Sequence, residues 1–126
     1  MTASILAVGS NGVALDALVD LLRCEGYRTT GAATFRTAKQ WLDAAHYDLL
    51  LSDVRLHAFN GLHLVAHSRA FSRRPAAIVL AGAPDAVIED EARRLGARYV
   101  VGPIEPAALL KVVKEALDRG KEMTIA

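Results

Sequence analysis

Short apolar runs and amphipathic segments of helical period alternate along this chain with a regularity that few architectures accommodate. Ser4–Val8 is apolar, is closed by Gly9, and reads as a strand buried on both faces. From there the apolar residues Val13, Ala14, Ala17, Leu18, Leu21 and Leu22 form a helical stripe, and Gly26 stands where a C′ glycine ends a helix. Tyr27–Ala32 is a more polar strand of edge character, and Thr34–Ala45 is a helix presenting Phe35, Ala38, Trp41 and Leu42. Tyr47–Asp53 is the most apolar short run and belongs at the centre of a sheet. Asn60-Gly61 marks a turn before a helix from Leu62 to about Phe71, and Ala76–Leu80 follows as another buried strand. Pro84 suits the first turn of a helix over 84–95 carrying Val87, Ile88, Ala92 and Leu95, with a stop at Gly96. Arg98–Val101 is the last strand, and Pro106 opens a helix over 106–117 with Leu109, Leu110, Val113 and Leu117 inward.

Five strands and five helices in strict alternation predict an α/β fold. It is a doubly wound, five-stranded parallel sheet with right-handed crossovers and helices on both faces. Residues 1–119 form the domain and 120–126 read as a flexible C-terminal tail. In such sheets ligands gather outside the carboxyl ends of the strands. Gly9-Ser10, Gly31-Ala32, Asp53, Ala81-Gly82 and Gly102-Pro103 are therefore the positions that matter.

Composition narrows the function classes. The chain has 126 residues, 52% hydrophobic and 23% charged, enough for one packed core. A formal charge of +1, from 15 basic and 14 acidic residues, argues against a nucleic-acid or anionic-membrane partner. One cysteine, Cys24, allows neither an internal disulfide nor a zinc site by itself, so a reducing cytoplasm is the natural setting. No apolar run is long enough to span a membrane, and no secretory signal opens the chain.

Asp53 ends the central apolar strand, where a carboxylate is costly unless it has a partner or a task. The segment Asp48-Leu49-Leu50-Leu51-Ser52-Asp53-Val54-Arg55-Leu56-His57-Ala58-Phe59-Asn60-Gly61 resembles the phosphoacceptor segment of two-component response regulator receiver domains. Gly96-Ala97-Arg98-Tyr99-Val100-Val101-Gly102-Pro103 resembles their fifth-strand segment, and the resemblance covers about Ala3 to Arg119. It implies a flavodoxin-like strand order 2-1-3-4-5 and a phosphoacceptor at Asp53. It also implies two acids at positions 9 and 10, a Thr or Ser at 81, and a Lys at 102. The chain has Gly9, Ser10, Ala81 and Gly102 there, so the site is degenerate.

Phosphoryl transfer depends on positioning and on neutralising the phosphoryl oxygens, and each lost electrostatic group costs on the order of 10²-fold in rate. Mg²⁺ prefers a cluster of oxygen ligands, so one carboxylate holds it weakly at most, and no other cofactor is expected. Arg55, two residues on, is a candidate internal cation leaning over Asp53, the alternative being a solvent-facing side chain. Tyr99 falls where the family carries an aromatic switch. Its coupling partner is replaced by Ala81, which leaves a plain packing tyrosine as the simpler reading.

Other features carry less. Gly9-Ser10-Asn11-Gly12 is a strand-to-helix loop able to cradle an anion, but it lacks the G-x-G-x-x-G spacing. His63 and His67 have metal-ligand spacing on a helix without a third ligand. Arg69, Arg73 and Arg74 suit an acidic protein partner or plain solvation. No general acid–base pair can be assembled, so an independent enzyme is not expected.

The expectation is a stand-alone receiver-like signalling module acting by protein–protein interaction, independent of phosphorylation. Its partner would be a histidine kinase, a phosphotransfer protein or an output protein. By the resemblance, the contact face is helix 84–95, strand 98–101 and helix 106–117, a face able to support a homodimer. Two alternatives stay open: a working phosphoacceptor at Asp53 served by a partner kinase, and a small nucleotide- or anion-binding protein using the Gly9–Gly12 loop.

Overall fold

A computed structural model describes residues 2–125, with side chains as far as Gly120. Seven strands and five helices follow one another as β1 (Ser4–Val8), α1 (Gly12–Cys24), β2 (Arg28–Ala32), α2 (Phe35–Ala44), β3 (Leu49–Asp53), β4 (Arg55–Leu56), β5 (Phe59–Asn60), α3 (Leu62–Ser68), β6 (Ala76–Ala81), α4 (Ala86–Arg94), β7 (Arg98–Val101) and α5 (Pro106–Ile125). Five strands form one parallel sheet in the order β2-β1-β3-β6-β7, which is 2-1-3-4-5 when only these are counted. The remaining two, β4 and β5, make a small antiparallel hairpin that the sequence reading does not contain.

Successive side chains of a strand face opposite ways, and the sheet uses both faces. Ile5, Ala7, Leu49, Leu51 and Ile78 pack under α1 and α5, while Leu6, Val8, Leu50, Ala77 and Val79 pack under α2, α3 and α4. The two helix-stop glycines behave as expected. Gly26 (φ 93) and Gly96 (φ 77) take the left-handed conformation that avoids a Cβ penalty. Each closes a Schellman motif, with Tyr27 N–H on the Leu22 carbonyl at 3.2 Å and Ala97 N–H on the Ala92 carbonyl at 2.8 Å.

Several boundaries differ from expectation for local reasons. α4 begins after Asp85, not at Pro84, because the Asp85 carboxylate accepts the Val87 and Ile88 N–H groups at 3.0 and 3.2 Å. α3 stops at Ser68, whose hydroxyl donates to the Val65 carbonyl at 2.7 Å, and residues 69–71 tighten into turns. The inward face of α1 is Leu15, Val19 and Leu22, so the stripe beginning at Val13 is displaced by one position and Val13 is 83% exposed. α5 stays helical through Gly120, where the sequence reading begins a flexible tail. A Cβ at Gly120 would lie 3.8 Å from the Ala76 Cβ, so the helix continues over the start of β6. Ala126, the last residue of that expected tail, lies outside the described residues.

Among the glycines, Gly61, between β5 and α3, has the least room for a side chain. A Cβ on Gly61 would overlap the Asp53 carbonyl oxygen and stand 2.6 Å from Ser52 Oγ, while Gly61 N–H donates to the Val54 carbonyl at 2.7 Å. Gly61→Ala is expected to lower stability by about 1–3 kcal/mol in urea unfolding, the range for forced overpacking. Gly12→Ala, with nothing within 4 Å of its Cβ position, should leave stability unchanged or slightly higher. Equal midpoints for the two variants would overturn this account.

Candidate functional site

The carboxyl ends of the strands bring the sequence-marked positions to one edge of the sheet. Val8 is registered with Ser52, which sets Gly9 beside Asp53, and Ala81 is registered with Val101, which sets Gly102 beside the end of β6. Gly9 N–H donates to the Ala32 carbonyl at 3.1 Å and Gly102 N–H to the Ala81 carbonyl at 2.7 Å, so both loops leave their strands as continuations of the ladder. The Gly102–Pro103 peptide is cis. Ala81 is buried, whereas Ser10 and Gly102 are half-buried.

The Asp53 side chain points at Gly9: a Cβ there would stand 3.0 Å from Asp53 Oδ2. The carboxylate is half-buried, and burial pushes its pKa above the ordinary carboxylate value. No hydrogen bond or ion pair reaches it among the described residues. Position 9 has no side chain, Ala81 offers only a methyl, and Gly102 offers no cation.

Arg55 does not lean over Asp53. The chain leaves the β3 ladder at Val54, whose N–H still donates to the Leu80 carbonyl at 2.9 Å, and Arg55 then pairs with Asn60 in the hairpin. The two-residue alternation that would align Arg55 with Asp53 is broken at that turn. Arg55 is exposed.

Tyr99 is tied down in a way the sequence does not signal. Its hydroxyl accepts the Asp85 N–H at 3.0 Å and donates to the Ala83 carbonyl at 3.4 Å, bracketing Pro84 in the loop between β6 and α4. Its ring packs against the α2–α4 side of the core. The partners are backbone groups, which leave no mark in a residue pattern.

The minor candidates separate. His67 Nε2 stands 2.6 Å from Asp43 Oδ1, while His63 lies edge-on to Phe35 with ring centroids 6.4 Å apart, so the two histidines face different partners. Arg69 donates to the Pro75 carbonyl at 3.0 Å, and burial with Arg74 nearby lowers its pKa. In the Gly9–Gly12 loop Asn11 is the N-cap of α1, its Oδ1 accepting the Ala14 N–H at 3.1 Å. Among the described residues no group of three or more His, Cys, Asp and Glu converges as a metal-ligand set, and no helix is long and apolar enough to cross a membrane. One cluster went unread in the sequence: Phe59, on the hairpin, stacks on Phe35 at the start of α2, with centroids 4.7 Å apart and planes within 14°.

Comparisons with known proteins agree with this geometry. The chain is 32% identical over 111 residues to the transcriptional regulatory protein FixJ of Azorhizobium caulinodans, covering 85% of this chain and 51% of FixJ. It is 28% identical over 121 residues to the phosphoglycerate transport system transcriptional regulatory protein PgtA of Salmonella typhimurium, covering 95% of this chain and 29% of PgtA. The chain thus spans about half or less of the length of these relatives. Among solved structures, a CheY-like response regulator receiver domain protein from Methanospirillum hungatei JF-1 superposes with a TM-score of 0.91 at 25% identity, over 98% of this chain and 99% of that one. The signal receiver domain of an HD domain-containing protein from Pseudomonas fluorescens Pf-5 gives a TM-score of 0.88 at 28% identity, over 97% and 99% of the two chains. With the response regulator receiver domain family model matching residues 5–114, the chain belongs to the receiver domains of two-component response regulators.

Proposed function

We propose that this receiver domain signals through protein contact, with phosphotransfer at Asp53 weak or absent and no catalytic activity of its own. The isolation of the Asp53 carboxylate carries the reading: Gly9 stands against it, no hydrogen bond or ion pair reaches it among the described residues, and positions 81 and 102 of the same sheet edge supply neither a hydroxyl nor a cation. Mg²⁺ demands near-octahedral oxygen ligation. One carboxylate, with a glycine and a serine at positions 9 and 10 where a second and third acid are needed, is a donor set that does not fit it. An unassisted phosphoryl acceptor would lack both charge neutralisation and positioning.

The contact face of this reading is α4, β7 and α5. Val87 is 70% exposed there, within a frame of ion pairs: Glu89–Arg93 at 3.3 Å, Asp90–Arg94 at 2.9 Å and Arg98–Glu115 at 3.6 Å. An apolar spot inside a polar rim is the anatomy of a modest protein interface, for a partner protein or a second copy. Tyr99 holds the loop leading into α4, so this face is set by hydrogen bonds to the backbone and not by an event at position 81.

Three outcomes follow. Titration with Mg²⁺ and then beryllofluoride should leave the amide resonances around Asp53 unmoved, and acetyl phosphate should add no phosphate to the intact mass. A one-phosphate gain that disappears in Asp53→Ala would overturn the reading. Restoring Gly9→Asp, Ser10→Asp and Gly102→Lys together should raise labelling.

Because burial raises the Asp53 pKa, the native state binds this proton more tightly than the unfolded chain. Asp53 therefore weakens the fold as pH rises from the ordinary carboxylate range through its raised native value. Asp53→Asn should raise Tm by a few degrees at neutral pH, and the gain should vanish in acid. A gain that persists unchanged at low pH would refute the burial account.

Tyr99→Phe should cost about 1 kcal/mol and speed amide exchange over residues 82–86, since the hydroxyl's two bonds are lost. Unchanged exchange in that loop would show that the hydroxyl does not hold it.

A further inference from the structure

Two helices cover one face of the sheet, and their outer surfaces carry acids on one and lysines on the other. α1 packs inward through Leu15, Val19 and Leu22, and α5 through Leu109, Val113 and Leu117, over the same layer of core. Away from that buried stripe, α1 exposes Val13, Asp16, Ala17 and Asp20, while α5 exposes Ala107, Lys111, Lys114 and Asp118. Asp16, Asp20, Lys111 and Lys114 make no hydrogen bond or ion pair among the described residues. Glu115, on the β7 side of α5, is held by Arg98 at 3.6 Å.

The two columns of charge match in height. Each helix starts at the carboxyl edge of the sheet, α1 at Gly12 and α5 at Pro106, and descends at about 1.5 Å per residue. Asp16 and Asp20 lie four and eight residues past Gly12, and Lys111 and Lys114 lie five and eight residues past Pro106. A two-fold axis running parallel to the helices therefore lays α1 of one copy on α5 of the other with acids over lysines, and does so twice. The same rotation sets Val13, 83% exposed, level with Ala107, whose methyl leaves it room. It also brings Asp118 level with Arg23, which keeps donors beyond its bonds to the Thr29 carbonyl. We infer that the α1–α5 face is a self-association surface on which a second copy docks, Asp16 and Asp20 of each copy pairing with Lys111 and Lys114 of the other.

The presence of both signs in neighbouring columns selects this occupant. A uniformly acidic partner, a polynucleotide included, is repelled by α1, and a uniformly basic one by α5. The two-fold image of the face opposes each column with its complement. The contact is small: two helices about 10 Å wide and an α1 of 13 residues give a patch of roughly 400 Å² per copy. That is about half of what a standard interface buries on each side, so the dimer is weak and reversible. The surface lies apart from Val87 and α4 and does not depend on whether Asp53 accepts phosphate.

The test is sedimentation velocity on the whole chain, up to about millimolar concentration. A concentration-dependent dimer that weakens with added salt is expected. Asp16→Lys with Asp20→Lys, and separately Lys111→Glu with Lys114→Glu, should each weaken it at least about tenfold, because like charges then face each other. All four positions are exposed, so both variants should keep the native circular dichroism. An equimolar mixture of the two variants should dimerise again, since every column then meets its opposite, a rescue that damage to either fold would not allow. Val87→Glu on α4 should leave the dimer intact. A wild-type chain that stays monomeric throughout, a dimer that survives either charge reversal or is lost in Val87→Glu, or a mixture that fails to associate would each overturn the assignment.

Discussion

Burial of Leu49, Leu50 and Leu51 on both faces of one sheet governs where everything else in this receiver domain can go. A strand with no polar face must have neighbours on either side and helices above and below, and β3 has β1 and β6 beside it. Each fully buried leucine contributes about 2–3 kcal/mol, and the three together outweigh any single polar interaction on the surface. The same burial carries Asp53 to the carboxyl edge of the sheet. There, a glycine at position 61 lets the chain turn back against the strand end without a clash.

The edge so formed has an unusual electrostatic character. Asp53 keeps its position and its partial burial, yet the groups at positions 9, 81 and 102 give it neither neighbouring charge nor a hydrogen bond. A carboxylate in that setting is held back by its own desolvation, a local cost that the surrounding core must offset. Tyr99 has bonds on both sides of Pro84, so the approach to α4 has a fixed geometry drawn from the backbone. Neutral bonds from Tyr99 and the Asp85 carboxylate cap act on the same loop.

Most of the architecture was legible because its signals are local and strong. The apolar runs of β1, β3 and β6 and the glycines at 26 and 96 are consequences of burial and of left-handed backbone, both written in single residues. What escaped depends on tertiary placement. Two-residue strands are too short to carry a period, so the β4–β5 hairpin was invisible, and with it the stacking of Phe59 on Phe35. The face of α1 was displaced because Val13, Ala14 and Ala17 are apolar without being buried. At the site, the residue types at 9, 10, 53, 81 and 102 could be read directly. The direction of Arg55 and the bonds of Tyr99 could not, because one follows a break in the ladder and the other rests on backbone partners.

The open sheet has two edges, β2 and β7, and they bear on how copies of this chain can meet. Each is only four or five residues long, and each begins with an exposed arginine, Arg28 or Arg98. Short edges carrying a charge offer little ladder for a foreign strand to extend, a device that natural sheets use against strand-by-strand aggregation. Gly31 weakens β2 further as a template, because glycine has a high entropic cost in an extended ladder. Association of this domain with itself or with others is thereby steered away from main-chain pairing and onto side chains. Such contacts can be made and released without opening or extending the sheet's own hydrogen-bond ladder.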